Sequence, residues 1–262
     1  VDMEKMKLDF QDRIAVLKFN HPEVLNAVGD EMLGDFNEAL AEIKNPANGA
    51  RCLLITGEGR GFCSGANLSD EGRGEINLRK SDVLRTTYHP LLLELRDLDI
   101  TIVTAVNGAA AGVGMSFALI GDIVCASKNA FFLQAFANIG LVPDGGSTFM
   151  LPRLIGWGRA MELSLLAERL PAEKAYEWGI VNRLYDDTDK LMEGAMKIAE
   201  QLSNGPKSLG LIRKAYWNTW HNAFEQQLQL EAKLQSEAGR TKDNREGVAA
   251  FLEKREAHFT GE

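Results

Sequence analysis

Two stretches of this chain run through the same order of events, and that repetition limits the fold more than any other feature. "RCLLITG" (51–57) leads into the glycine-rich "EGRGFCSGANL" (58–68), and "ITIVTAVNG" (100–108) leads into "GAAAGVG" (108–114), then "MSFALIGD" (115–122) and "IVCAS" (123–127). The apolar runs are short and rich in β-branched residues, so each reads as a buried strand. The glycines and alanines that follow read as turns, and "MSFALIGD" reads as a helix. Strand, turn, helix and strand in recurrence predict parallel strands with crossover connections, an α/β fold.

The rest of the chain fits around that frame. "RIAVLKFN" (13–20) alternates as a strand does, and "EMLGDFNEALAEIK" (31–44) puts Met32, Leu33, Phe36, Ala39, Leu40 and Ile43 on one helical face. "HPLLLELRDL" (89–98) reads as a leucine-rich helix. From about Arg159 onward nearly every segment has helical period, up to "REGVAAFLEKREAHF" (245–259), and only "GIVNRLY" (179–185) interrupts as a strand. The division predicted is an α/β core over 1–195 and a helical region over 196–262.

Charge narrows the function classes. Lys+Arg 29 against Asp+Glu 37 gives a net charge of -8, with no run of basic residues, which disfavours nucleic acid as a partner. An anionic small ligand held by a few cations or backbone N–H groups fits an acidic chain. The three cysteines, Cys52, Cys63 and Cys125, lack zinc-site spacing and are odd in number, so they are expected to be reduced, buried thiols in a cytoplasmic protein. No apolar run of spanning length and no secretory pattern is present, so a membrane is not expected as a partner.

Among candidate sites, "GEGRGFCSGANL" has four glycines after a strand but neither the Gly-Lys-Ser/Thr ending of a phosphate loop nor a dinucleotide fingerprint. Together with "NGAAAGVGMS" it has another reading: two turns, each following a strand, present one N–H apiece into a shared cleft, as an oxyanion hole requires. Ordinary tight packing explains the same glycines equally well. His21, His89, His221 and His258 stand at no metal-ligand spacing, and no G-x-S-x-G elbow occurs. In "GLVPDGGS" (140–147) the single acid Asp144 reads either as a turn or helix N-cap residue before "STFMLPRLIG", or as a proton carrier whose pKa burial raises.

Four segments taken together, "RCLLITGEGRGFCSGANL", "AVNGAAAGVGMSFALIGDIVCAS", "FANIGLVPDGGSTFMLPRLIG" and "AEKAYEWGIVNRL", resemble the crotonase superfamily, also called the enoyl-CoA hydratase/isomerase family, across essentially the whole chain. The resemblance implies a crotonase spiral of ββα repeats with a C-terminal helical trimerisation region, assembled as a homotrimer or a dimer of trimers. It implies an acyl-CoA thioester substrate, no metal, and no cofactor beyond the coenzyme A carried by the substrate. Its implied oxyanion donors are the backbone N–H groups of Ala66 and Val113, the latter at a position commonly glycine in the family.

Hydratases of the family carry two glutamates where this chain has Ser116 and Phe136, so efficient hydration is not expected. At Asp144 one isomerase branch carries its catalytic acid. The resemblance therefore implies an isomerase that moves a proton between C2 and C4 of an unsaturated acyl-CoA, or opens an aromatic epoxide thioester to an oxepin. It places coenzyme A against Leu25 and Ala27, against Gly65 and Leu68, and against Lys254, with the acyl chain near Tyr88, Phe132, Phe136 and Leu141. Alternatives are a hydratase, an aryl-CoA dehalogenase with Asp144 as nucleophile and His89 as helper, and a non-catalytic RNA-binding or scaffold member.

Overall fold

The computed structural model describes residues 3–68 and 80–262. Strands β1 (Met6–Gln11) and β2 (Ile14–Phe19) form an antiparallel hairpin. Parallel to β2 run β3 (Cys52–Gly57), β5 (Thr101–Val106), β7 (Ile123–Ser127) and β10 (Arg183–Tyr185), giving a six-stranded sheet in the order β1-β2-β3-β5-β7-β10. A second, four-stranded sheet has the order β4-β6-β8-β9, built from β4 (Gly61–Cys63), β6 (Ala109–Ala111), β8 (Phe131–Leu133) and β9 (Leu170–Pro171).

The repetition in the sequence is thus a repeated step between sheets. In β3–β4, β5–β6 and β7–β8 a long strand of the first sheet turns a corner into a short strand of the second. Two expectations are corrected here. Ala109–Ala111 form β6 rather than a turn, and Gly61–Cys63 form β4 inside what reads as a loop. Three-residue strands of small residues carry too little pattern to declare themselves, and it is the ladder to neighbouring strands that fixes them.

Helices follow the strand pairs: α1 (Asp30–Lys44), α2 (Lys80–Val83), which continues through a π-helical stretch (Leu84–Tyr88) into α3 (His89–Asp97), and α4 (Val113–Leu119). Then come α5 (Ser147–Ile155), α6 (Trp157–Leu166), α7 (Ala172–Trp178), α8 (Thr188–Ser203), α9 (Ser208–Thr219), α10 (Phe224–Ala238) and α11 (Lys242–Glu253). The six apolar positions predicted for α1 are its buried residues. In the Gly-rich, charged stretch 69–84, residues 69–79 lie outside the described residues, and the rest opens α2. The predicted strand 179–185 is limited to Arg183–Tyr185, and the last helix ends at Glu253 because Lys254 turns left-handed with φ +55.

One face of the large sheet packs with α1, α3 and α4 around Phe19, Phe36, Phe62 and Phe117, whose rings meet at 5.4–5.8 Å. The opposite face, Val16, Leu54, Val103 and Cys125, is covered by Leu191, Ala195 and Ala199 of α8. Burial on both faces is why these strands read as unbroken apolar runs. Residue 195, where the sequence divides core from appendage, lies midway along α8. Cys52, Cys63 and Cys125 are free and buried, and burial pushes each thiol up to about 12. Among the described residues no helix is long and apolar enough to cross a membrane.

Candidate active site

The first turn of the site is held by the segment after β2. Ser64 N donates to Leu25 O (3.0 Å), Val28 N to Gly65 O (2.7 Å) and Asn67 N to Val28 O (2.8 Å). In this parallel bridge Ala66 stands opposite Val28 with its own N–H directed away, and no described acceptor receives it. Two buried asparagines that sequence reasoning overlooked brace the approach to the turn. Asn107 donates to the carbonyls of Gly57 (3.0 Å) and Gly59 (2.9 Å), and Asn26 to those of Glu58 (3.0 Å) and Phe62 (3.2 Å). The available signal was one amide closing each of two apolar stretches, "AVNG" and "VLNA".

The second turn lies against the first. Gly112, with φ +54 and ψ -128, reverses the chain into α4 while its N–H bonds Leu133 O at 2.9 Å. Val113 follows at the first helical position with a negative φ, and its N–H is one of the helix donors without an intrahelical acceptor. A side-chain carbon placed on Gly65 would lie 2.9 Å from Ala111 O and 3.7 Å from Gly112 Cα, so the two turns are in contact. The valine at this position leaves a donor in place, since only its backbone is needed.

Asp144 comes to the same place. The next residue, Gly145, has φ +61, and a side-chain carbon there would fall 2.6 Å from Ser116 Oγ and 3.2 Å from Val113 Cγ2. Phe136 is buried, and its ring edge would sit 3.8 Å from a side-chain carbon on Gly112. The carboxyl of Asp144 does not cap the following helix: the N-cap of α5 is Gly146, and it is the Asp144 main-chain carbonyl that accepts from Ser147 N at 3.1 Å. The reading of Asp144 as a side-chain cap is thereby corrected. Its Oδ1 is buried with no hydrogen-bond partner among the described residues, and burial pushes the carboxyl up to about 6. A half-buried carboxyl raised in this way titrates where proton transfer near neutrality needs it.

The other predicted residues divide. Gly65 and Ala27 are buried beside the first turn, Leu25 takes a left-handed conformation there, and Leu68 is exposed at its end. Leu141 N donates to Phe136 O at 2.9 Å, next to the acid. Phe132 and Tyr88 are members of the main core. Lys254 stands apart, exposed at the end of α11 with its N–H on the carbonyls of Ala250 and Phe251. His89 is exposed at the start of α3.

Two adjoining turns offering backbone donors beside one buried acid, on a spiral of strand pairs, define a class of enzymes, and comparison with known proteins agrees. The family model described as Enoyl-CoA hydratase/isomerase matches residues 9–262, and the chain belongs to that family. It is an enzyme of the crotonase fold acting on coenzyme A thioesters.

Among relatives, the 1,2-epoxyphenylacetyl-CoA isomerase of Escherichia coli (strain K12) is 42% identical, with 99% of each chain covered. Among solved structures, an enoyl-CoA hydratase from Polaromonas sp. JS666 superposes with a TM-score of 0.88 at 33% identity, covering 97% of this chain and 99% of that one. An enoyl-CoA hydratase from Bacillus anthracis gives a TM-score of 0.91 at 28% identity, covering 98% and 100%.

Proposed function

We propose that the protein isomerises an unsaturated acyl-CoA, with Asp144 carrying a proton between C2 and C4. The Asp144 carboxylate takes the C2 proton, and the electrons of that bond pass into a dienolate whose thioester oxygen is held by the N–H groups of Ala66 and Val113. The resulting acid then returns the proton to C4. One half-buried carboxyl beside the two donor turns, its Oδ1 without a hydrogen-bond partner among the described residues, carries this reading, because Ser116 and Phe136 bring no second acid. Each N–H donor is worth roughly 2.7–4 kcal/mol to the enolate, and the acid about 10²–10⁴-fold in rate. The chemistry asks for no group beyond these and the coenzyme A of the substrate.

Within this class we favour 1,2-epoxyphenylacetyl-CoA, isomerised without change of composition to an oxepin thioester, as phenylacetate catabolism requires. The full-length relative at 42% identity supports it. Coenzyme A is assigned to Leu25, Ala27, Gly65 and Leu68, and the acyl group to Tyr88, Phe132, Phe136 and Leu141. Lys254 is assigned to the phosphates of a neighbouring subunit's ligand, since it stands apart from its own site. Exposed Trp157, Met161 and Leu165, spaced four apart on α6, and exposed Phe251 and Leu252 support assembly as a homotrimer, alone or paired. The buried thiols are consistent with a cytoplasmic setting.

The deciding experiment is conversion of a 3-enoyl-CoA and of 1,2-epoxyphenylacetyl-CoA by wild type and Asp144→Asn, with crotonyl-CoA hydration in parallel. Isomerisation that disappears in a folded Asn variant, with negligible hydration, is the expected result. Dominant hydration overturns it, as does a fully active variant, and a covalent adduct on Asp144 would turn the reading to dehalogenation.

A further inference from the structure

Two serine hydroxyls from different elements point at one main-chain oxygen beside the candidate acid. Ser116, in the second turn of α4 and wholly buried, donates through Oγ to the carbonyl of Asp144 at 3.1 Å. Ser147, the first residue of α5 and also wholly buried, donates to the same carbonyl at 2.8 Å, and its backbone N–H adds a third bond at 3.1 Å. A carbonyl has two lone pairs, so three donors leave it no capacity for substrate or water.

The geometry points to Ser116 and Ser147 as positioning residues: by saturating the Asp144 carbonyl they turn it inward and leave the carboxyl as the one reactive group residue 144 presents. Three further observations agree. Oδ1 of the same residue has no hydrogen-bond partner among the described residues, so the backbone of residue 144 has the larger part in setting where the carboxyl lies. A side-chain carbon on Gly145 would fall 2.6 Å from Ser116 Oγ, so the hydroxyl and the residue after Asp144 are close neighbours. Ser147 has a single proton to give, and its other acceptor, Gln134 Oε1, lies at 3.4 Å, a much weaker contact than the 2.8 Å to Asp144.

Without either hydroxyl the turn gains freedom and water reaches the carboxyl. An acid displaced by a fraction of an ångström transfers a proton poorly while the thioester binds as before. The signature is a fall in kcat with KM unchanged, accompanied by a carboxyl that titrates closer to its ordinary value.

The inference rests on Asp144 being the proton carrier, and its test is chosen to separate the two. Ser116→Ala and Ser147→Ala are assayed for kcat, KM and the pH profile of kcat, and the Asp144 carboxyl is titrated by carbon-13 NMR in each. We expect kcat to fall about tenfold with KM changed less than about twofold, and the acidic limb and the NMR titration to move down together. Ser116→Cys, which keeps the branching, is slightly larger and weakens the donor, stands in if Ser116→Ala does not fold. Variants whose NMR titration does not move overturn the inference, even if Asp144→Asn shows that Asp144 carries no proton. A variant whose kcat and profile match wild type while Asp144→Asn is dead overturns it as well.

Discussion

Asn26 and Asn107, 81 positions apart in the sequence, meet at one atom: the carbonyl oxygen of Gly61 accepts from the side-chain amide of each, at 2.8 and 3.3 Å. Asn107 also accepts from Gly57 N at 3.3 Å, and Asn26 Oδ1 from His21 N at 2.7 Å. Every polar atom of both amides is used, and the corner that delivers β4, and beyond it Ala66, is fixed between them.

Asn107→Asp keeps the shape of that side chain and replaces its donor with an acceptor facing carbonyl oxygens. It should destabilise the fold by about 2–4 kcal/mol, more than Asn107→Ala, because it adds a buried charge to the lost bonds. Urea unfolding of the two variants measures the order. Equal stability of Asn107→Asp and wild type would show that the corner holds without the amide.

The pH dependence of Asp144 has a definite sign. Because burial lifts the folded carboxyl to about 6, the folded state binds its proton more tightly than the unfolded chain does. This contribution is present below the ordinary carboxylate range, near pH 4, and is lost as pH rises to about 6. Asp144→Asn should therefore gain stability over wild type at pH 8, by roughly 1–2 kcal/mol after allowing for partial exposure, and show no such gain near pH 3. Isomerisation by wild type should rise through the same interval as the base form appears. Denaturant midpoints at the two pH values test the first statement and a pH–rate profile the second.

Arg213 is buried in α9, where its guanidinium donates to both oxygens of Asp122 (2.9 and 2.8 Å) and to the carbonyls of Leu98 (3.0 Å), Leu95 (2.8 Å) and Arg96. Asp122 in turn accepts from Ile102 N at 2.7 Å. Burial drives its carboxyl upward, against the pull of Arg213. Arg213→Ala leaves the half-buried Asp122 carboxylate without its cation and three carbonyls without their donor, and should cost about 2–4 kcal/mol. Arg213→Ala combined with Asp122→Asn should recover part of that loss, read by the same unfolding assay.

Gly112→Ala tests the second donor. The backbone there, φ +54 and ψ -128, is strained for any side chain, so the turn must shift and carry the Val113 N–H with it. Loss of one enolate donor predicts a fall in kcat of about 10²–10³-fold. Activity within a few-fold of wild type in a folded variant would remove Val113 from the site.

Much of this arrangement was legible in the sequence because it follows from periodicity. The buried face of α1, the paired glycine turns and the lone acid of "GLVPDGGS" each announce themselves over a few residues. What stayed hidden was fixed by distant partners. Ala109–Ala111 become a strand only through pairing with Gly61–Cys63 and Phe131–Leu133. The roles of Asn26, Asn107, Ser116 and Ser147 depend on which carbonyls the fold brings within reach. The choice between cap and acid for Asp144 turned on Gly146 taking the cap position with φ +80, which no local pattern specifies.

The corners between the two sheets have a consequence for how such a protein changes over evolutionary time. Residues 58–60, 107–108 and 128–130 are all that join each long strand to its short one. An insertion there would throw both ladders out of step at once. The stretch after β8, 134–146, carries Phe136 and Asp144 and leads into α5 without closing a ladder. A change of length is costly at those corners, whereas a side chain such as Asp144 exchanged on the outgoing stretch disturbs neither ladder, so the scaffold takes new chemistry most cheaply through single residues there.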